Sequence, residues 1–464
     1  MKKNKTLDMT NGSPTKLLLT FALPMLLGNL FQQVYNLVDS IIVGQFVGKD
    51  AFASIGATSS VTFLFFALCN GIASGGGIIV SHAFGGGDDR RIKSCLFNTA
   101  AVMLILPTIV GCTAFFLAEW ILTLLKTPAT VLPDALLYTR TMCIGIVFVS
   151  IYNLVCSVQR ALGDSKSPLY FLIFSCILNA LLDLLFVVPL QMGVFGAGLA
   201  TIISQFVSAA VSLIYAFKTN PYFRLSRQDM KFEGRLILDI MKLGIPLSLQ
   251  FSLIAISCMA LQSVVNTFGE TAMAAFNATG RIEQMLHQPY QTLSAALSTF
   301  CGQNYGARKN DRVISGYRKC MLIMALFTAM MVPVIQLFAE PMIRIFIEDA
   351  EVISMGAAAM RITSIFYIAL GVIYIVRGVL NGLGDASFAL LNGIVEVIGR
   401  FVVPVLLITV PAIGVWGIWW SVGVVWSLSG LTAWLRYLVY KRRLGIRKGE
   451  HKEHPLRKVL MAVD

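Results

Sequence analysis

The sequence predicts an all-α membrane protein: twelve transmembrane helices in two six-helix bundles related by a pseudo-two-fold axis along the membrane normal. Two observations predict it. The 464 residues are 56% hydrophobic and only 13% charged, with a mean hydropathy of +0.75, too little polar surface to cover a water-soluble globule of this size. The punctuation of the chain also occurs twice: Gly85 and Gly163-Asp164 return as Gly306 and Gly384-Asp385, and 306 − 85 and 384 − 163 both give 221. Repetition at that length marks two homologous halves rather than a solenoid of short units. In a membrane chain it points to a transporter.

A helix rising about 1.5 Å per residue needs roughly 20 apolar residues to cross the hydrocarbon core. Runs of this kind fall near 17–46, 53–84, 96–117, 135–162, 169–188 and 198–217 in the first half. The second half repeats them near 237–265, 273–300, 321–338, 355–380, 388–410 and 415–440. Several exceed a minimal span, which predicts tilt or extension beyond the bilayer. The domain reading is a cytoplasmic N-terminal segment 1–14, an N-terminal lobe 15–218, a cytoplasmic linker 219–235, a C-terminal lobe 236–440 and a basic cytoplasmic tail 441–464.

Orientation follows from the formal charge of +13. Lys2, Lys3 and Lys5, then Arg90, Arg91 and Lys93, then Arg224, Arg227, Lys231 and Arg235, then Arg308, Lys309 and Arg312, and finally the stretch 442–458 fall on alternate connections. These are cytoplasmic by the positive-inside rule, whereas the connection with Glu340, Glu348, Asp349 and Glu351 leans acidic. Both termini are therefore expected inside, in the inner or plasma membrane of a prokaryote. An even number of spans per half gives both halves one orientation. Membrane topology already accounts for the basic tail, so no nucleic-acid partner is expected. No cleavable signal peptide is read at the polar N-terminus. The nine cysteines lie mostly inside apolar runs without metal spacing, which predicts reduced structural thiols.

The glycine motifs read mainly as structure. Gly85-Gly86-Gly87 and the stretch from Gly302 to Gly306 permit tight turns. Gly44-x-x-x-Gly48 and Gly71-x-x-x-Gly75 let helix backbones approach closely. No Gly-Lys-Ser/Thr follows a glycine-rich turn, so no ATP motor is expected. There is no His-Glu-x-x-His and no Gly-x-Ser-x-Gly, and outside the tail the histidines are His82 and His287. A membrane-embedded enzyme is therefore disfavoured.

An ionisable group at membrane depth costs on the order of 3 kcal/mol on insertion scales, so each one kept there needs a partner or a task. The candidates are Asp39 and Asp183 in the first half and Arg281, Glu283, Arg377, Glu396 and Arg400 in the second. Asp39 is flanked by Leu37, Val38, Ile41 and Ile42, with no cation nearby in sequence. Asn179 and Asp183, four apart, share one face of the fifth helix, and Thr201 adds a hydroxyl from the sixth. Two carboxylates, an amide and a hydroxyl suit a small hard cation such as Na⁺, and the carboxylates equally suit protons. Pro24, inside the first helix, removes a backbone hydrogen bond and predicts a bend. Glu396 and Arg400, four apart, read as an intrahelical ion pair. Arg281 and Glu283 read as lining of the C-terminal lobe that could meet a cationic substrate, with His287 as a neutral packing residue. Asp164 and Asp385 read as turn or capping residues.

Taken together, Pro24-Met25-Leu26, Val38-Asp39-Ser40, Gly85, Arg160-Ala161-Leu162-Gly163-Asp164, Gly193-Val194-Phe195-Gly196-Ala197, Gly302-Gln303-Asn304-Tyr305-Gly306-Ala307 and Gly414-Val415-Trp416-Gly417 resemble the multidrug and toxic compound extrusion (MATE) family over nearly the whole chain. The resemblance implies a two-lobed exporter of organic, often cationic, compounds driven by inward Na⁺ or H⁺. It also implies an N-lobe cation site of the prokaryotic DinF-like type at Asp39, Asn179, Asp183 and Thr201, with Gln32 and Tyr35 in the cavity wall. The seventh helix, carrying Gln250 and Gln262 but no carboxylate over 245–265, departs from branches that couple through an acid there. The expected protein is a secondary active antiporter working by alternating access as a monomer, without a cofactor and without a metal beyond a possible coupling Na⁺. A lipid or lipid-linked oligosaccharide flippase of the same superfamily is the alternative. The 221-residue offset sends Asp39, Asn179, Asp183 and Thr201 to Ala260, Arg400, Pro404 and Val422, so the scaffold repeats and the ion chemistry does not.

Overall fold

The computed structural model describes residues 6–46, 49–125 and 127–446, and within them the side chains except those at 37–45, 49–53, 57, 60 and 443–446. Every regular element among the described residues is helical. The first half gives α1 (Pro14–Phe46), α2 (Lys49–Gly86), α3 (Asp89–Leu124), α4 (Leu132–Ala161), α5 (Lys166–Val187) and α6 (Gly193–Thr219). The second gives α7 (Gly234–Val265), α8 (Glu270–Leu286), α9 (Gln288–Gly306), α10 (Asn310–Arg344), α11 (Ala350–Ile365), α12 (Tyr367–Gly382), α13 (Ala386–Ile408) and α14 (Gly417–Ile446).

Twelve predicted segments thus become fourteen helices, because two segments of the second half are broken. Shifted by 221, α8 and α9 match the single α2, and α11 and α12 match the single α4. At the first break Pro289 stands in the opening turn of α9, where it has no N–H to carry the helix through. Its counterpart is Leu68, inside the uninterrupted α2. At the second break α11 and α12 meet at 52° with no proline to force it. There Phe366 turns its ring into the notch left by Gly423 of α14. Ten helices among the described residues are individually long and apolar enough to cross a membrane, and the bent pair α11 and α12 makes an eleventh. The pair α8 and α9 occupies the twelfth place, α8 alone being too short at 17 residues.

The chain divides into two compact units, and the divisions fall inside α1 and α7. The first unit holds Leu23–Ser248 together with the described residues up to Asp8; the second holds Met9–Ala22 and the described residues from Leu249 onward. In the first unit α4 packs against α2, α3 and α6. The start of α7 lies on α2 through the small residues the sequence singles out. A Cβ on Gly75 would stand 2.6 Å from the Gly244 nitrogen and 2.8 Å from its Cα, so the two backbones touch. The companion Gly44-x-x-x-Gly48 lies outside the described side chains.

The segment read as a linker is docked on α3 rather than loose. Asn98 donates to the Lys231 carbonyl at 3.0 Å and accepts from the Glu233 amide at 2.9 Å. Glu233 pairs with Arg91 at 2.6 Å and accepts from the Ser94 hydroxyl. Tyr222 donates to Asp89 at 3.0 Å, and burial with that carboxylate contact pushes its phenol up to about 12. Partial burial pushes the Glu233 carboxyl up, but the Ser94 and Arg91 hydrogen bonds outweigh it and hold the group below its usual range.

In the second unit the Gly302-Gln303-Asn304 motif does more than turn the chain. Gln303 and Asn304 are fully buried and grip the N-terminal segment. Met9 donates its amide to Gln303 Oε1 at 2.9 Å, and Asn304 Nδ2 donates to the Met9 carbonyl at 3.0 Å. Arg312 donates to the Met9 and Gly12 carbonyls at 3.1 and 2.9 Å, and Lys309 to the Thr10 carbonyl at 2.9 Å. At the other repeated turns Gly163 and Gly384 take φ of +90° and +85°, which glycine adopts without strain. Asp164 caps α5, accepting from the amides of Lys166 and Ser167 at 3.1 and 3.0 Å. Asp385 instead pairs with Arg436 at 2.9 Å.

Two outcomes follow for the purified protein. Gly75→Val should cost about 1–3 kcal/mol through overpacking against α7 and lower the melting temperature, whereas Gly280→Ala, which meets nothing within 4 Å, should leave it unchanged or slightly raised. Because the Glu233 carboxyl is depressed in the folded state, its stabilisation is fully present above the ordinary carboxylate range and is lost as pH falls through the folded value. Melting temperature measured from pH 7 down to pH 3 should therefore fall more steeply at the acid end in wild type than in Glu233→Gln.

Candidate functional site

In the first unit the predicted residues sit on α1, α5 and α6, of which α5 and α6 pack together. Asn179 and Asp183 lie one turn apart on α5, exposed by only 3% and 1% in a 22-residue span whose neighbours are almost all apolar. Asn179 Nδ2 is buried without a hydrogen-bond partner among the described residues, so part of its amide remains to be satisfied. Thr201 is partly buried on α6, which packs along α5. Its hydroxyl donates to the Ala197 carbonyl at 3.0 Å, and the oxygen's lone pairs remain acceptors. The Asp39 side chain lies outside the described residues, although α1 runs through its position. Gln32 and Tyr35 are partly buried on α1, with Gln32 donating to Asn36 at 3.1 Å. Pro24 sits inside an α1 that continues on both sides of it.

The second unit holds a larger polar network than the sequence suggests. Glu396 pairs with Arg377 of α12, not with Arg400, and both are buried. The expected intrahelical pair is thus replaced by one between helices, because the guanidinium of Arg377 reaches Glu396 across the α12 and α13 contact. Arg377 also donates to Asn392 at 2.7 Å. Gln250 of α7, with its amide oxygen turned to Arg377, accepts at 3.1 and 3.3 Å. Ser429 of α14 donates to Glu396 at 3.2 Å, and Asn392 donates to the Ser429 carbonyl at 3.0 Å. Four helices are thereby tied to one buried ion pair whose partners are all supplied.

A second cluster forms where the two helix breaks meet. Glu283 of α8 accepts from the Thr363 hydroxyl of α11 at 2.5 Å. His287, at the break after α8, has its ring edge-on to Tyr367 and to Trp426, with centroids 5.7 and 5.5 Å away. Arg281, two residues from Glu283, is exposed. Gln32 and Tyr35 belong to the first unit, and Arg281 and Glu283 to the second. Thr363, Tyr367, Asn392 and Trp426 escape a reading of charge alone. The signal that could have found them is polarity and aromatic content beside residues already marked as ionisable at depth.

Among the described residues no three His, Cys, Asp or Glu side chains converge as metal ligands. A surface hollow of about 490 Å³ lined by Glu340, Arg344 and Glu348 lies at the α10 to α11 connection and includes none of the predicted site residues.

The MatE family model matches residues 24–185 and 246–406, once in each repeat. The chain belongs to the MatE family. It is 31% identical over 437 residues to the probable multidrug resistance protein YpnP of Bacillus subtilis (strain 168), covering 93% of this chain and 97% of that relative. It is 23% identical to the multidrug export protein MepA of Staphylococcus saprophyticus over 97% of this chain and 99% of that one. A solved structure described as the outward-facing conformation of a multidrug resistance MATE family transporter of the MOP superfamily superposes with a TM-score of 0.90, at 22% identity, over 96% of this chain and all of that chain. The two matched stretches of this MatE chain contain Asn179 and Asp183 in the first and Gln250, Arg377, Asn392 and Glu396 in the second, with Ser429 of the same network beyond its end. Thr201 falls outside them.

Removing one partner of the buried pair should cost more than removing both. Glu396→Leu leaves the Arg377 charge uncompensated and should lose about 3–5 kcal/mol. The double variant Glu396→Leu with Arg377→Met should recover most of it, read as melting temperature of the purified protein.

Proposed function

We propose that this MatE chain is a secondary active multidrug efflux antiporter. It exports organic, often cationic, compounds in exchange for inward H⁺ or Na⁺ by alternating access. The observation that carries the reading is the pair Asn179 and Asp183, an amide and a carboxylate one turn apart, sealed inside an apolar membrane span. A carboxylate at that depth is costly unless a cation or proton compensates it, which is the property a coupling site needs. Thr201 on the adjacent helix and Asp39 on α1 complete an oxygen set suited to a small hard cation. The printed names of YpnP and MepA support multidrug export as the task.

Coupling requires that the cation bind the two access states unequally, since equal affinity shifts nothing. In the proposed cycle the ion enters the Asp183 site from outside and weakens substrate binding, and its departure inward resets the carrier. Gln32, Tyr35, Arg281 and Glu283 are the residues proposed to contact substrate. Membership of an exporter family and the alternation of basic connections support a multi-pass protein of the prokaryotic cell membrane with both termini inside.

Ethidium efflux from proteoliposomes under separately imposed Na⁺ and pH gradients tests the reading. One gradient should drive efflux in wild type, and Asp39→Asn or Asp183→Asn should each reduce it by about tenfold or more while the melting temperature stays near wild type, as expected when a compensated charge is lost at a coupling site. Undiminished gradient-driven efflux in both variants would remove these carboxylates from the mechanism.

A further inference from the structure

Arg400 is a charge in the second unit's spans that the networks above do not engage. It stands in α13, eight residues before the helix ends at Ile408, roughly 12 Å along the axis at 1.5 Å per residue. Its Nη1 donates to the Ser257 hydroxyl of α7 at 3.2 Å and to Cys258 Sγ at 2.8 Å. Its Nε is buried without a partner among the described residues. Among the described residues no carboxylate lies within ion-pair distance of it. The two acids that feel its field are engaged elsewhere, Glu396 by Arg377 and Ser429, and Glu283 by Thr363.

A hydroxyl and a thiol orient a guanidinium but do not neutralise it. Facing hydrocarbon it would be strongly disfavoured, yet the side chain is partly exposed and Cys258 beside it is exposed. The accessible edge therefore meets water or an anion. A guanidinium presents parallel N–H donors that match a carboxylate in bidentate fashion. Its place in the repeat sharpens the point: Arg400 is the 221-residue counterpart of Asn179, and Pro404 is that of Asp183. At equivalent positions the first copy carries an amide and a carboxylate, and the second carries a cation.

We infer that Arg400, oriented by Ser257 and Cys258, is the residue of the second unit that binds the carboxylate of transported compounds bearing one. The inference rests on the export reading above for the word transported, but its test does not.

Cys258 supplies the probe. In full-length protein carrying Cys112→Ser, reconstituted in phosphatidylcholine, the rates of modification of Cys258 by anionic sulfonatoethyl and cationic trimethylammonioethyl methanethiosulfonate are compared with those of free cysteine. Arg400 should favour the anionic reagent by about fivefold or more, and Arg400→Gln should remove the preference, as for a local positive field. Rhodamine 110, which bears a free carboxyl group, should slow modification by about tenfold, and rhodamine 123, its methyl ester, by less than about twofold, the discrimination expected of a charge-assisted bidentate contact. Arg400→Lys should keep the reagent preference and lose most of the acid-over-ester discrimination, which separates recognition from folding. Equal protection by acid and ester, an unchanged reagent ratio in Arg400→Gln, or protection by added phosphatidylglycerol with none by rhodamine 110 would each overturn the inference. Absence of ethidium efflux under any gradient would instead sink the export reading and leave the thiol result standing.

Discussion

Charge at membrane depth must be compensated, and the polar architecture of this protein follows from that constraint. Lipid offers neither water nor counter-ions, so an ionisable side chain in a spanning helix is stable only against a partner the chain provides or a ligand it receives. Arg377 and Glu396 take the first course. Their ion pair draws in Asn392, Gln250 and Ser429 until the remaining donors and acceptors are satisfied. A pair so enclosed contributes little net stability compared with an apolar replacement, but it makes α7, α12, α13 and α14 mutually dependent. In the functional reading Asp183 and Arg400 each receive a ligand, and Arg400 is the 221-residue counterpart of Asn179, four residues before Asp183 in the sequence.

The membrane segments were legible because lipid solvation leaves a long, unambiguous signal. All twelve apolar runs coincide with helical segments of the structure. The close approach at Gly71 and Gly75 was legible too, since small residues spaced by four have few other uses in a span. Their partners on α7, Gly244 and Ser248, were not, because sequence gives the notch and not what fills it. The helix breaks divide in the same way. The apolar pattern reads both as unbroken spans, although Pro289 is a signal the sequence carries for one, whereas at the other Phe366 fills the space beside Gly423 of α14, 57 positions later in the chain (423 − 366).

The ionisable candidates show where local reasoning stops. Spacing of four on one helix correctly put Asn179 and Asp183 on a single buried face. The same rule applied to Glu396 and Arg400 chose the wrong partner, since it weighs only neighbours on the same helix. Arg377 lies 19 residues earlier, yet the α12 to α13 contact brings it into hydrogen-bond range. A long flexible cation at a helix interface can choose among several acids, and the choice falls to the one whose remaining oxygen contacts are also met. The motif around Gln303 was legible as a turn only. Its grip on the Met9 backbone joins residues 294 positions apart in the chain.

The failure of the repeat at its polar positions follows from the same electrostatics. Duplication would give both halves the same turns, glycines and packing, and these persist because they serve helix geometry, which both copies need. A buried carboxylate kept in both copies would have to be compensated in both. Divergence removes that redundancy: Asp183 has Pro404 as its counterpart, Asn179 has Arg400, and straight α2 and α4 correspond to broken helices whose junctions hold Glu283, His287 and Tyr367. The two copies thus retain one scaffold while separating its polarity. At these positions the first copy carries an amide and a carboxylate and the second a guanidinium and a proline, while the second copy keeps its own buried carboxylate Glu396 against Arg377.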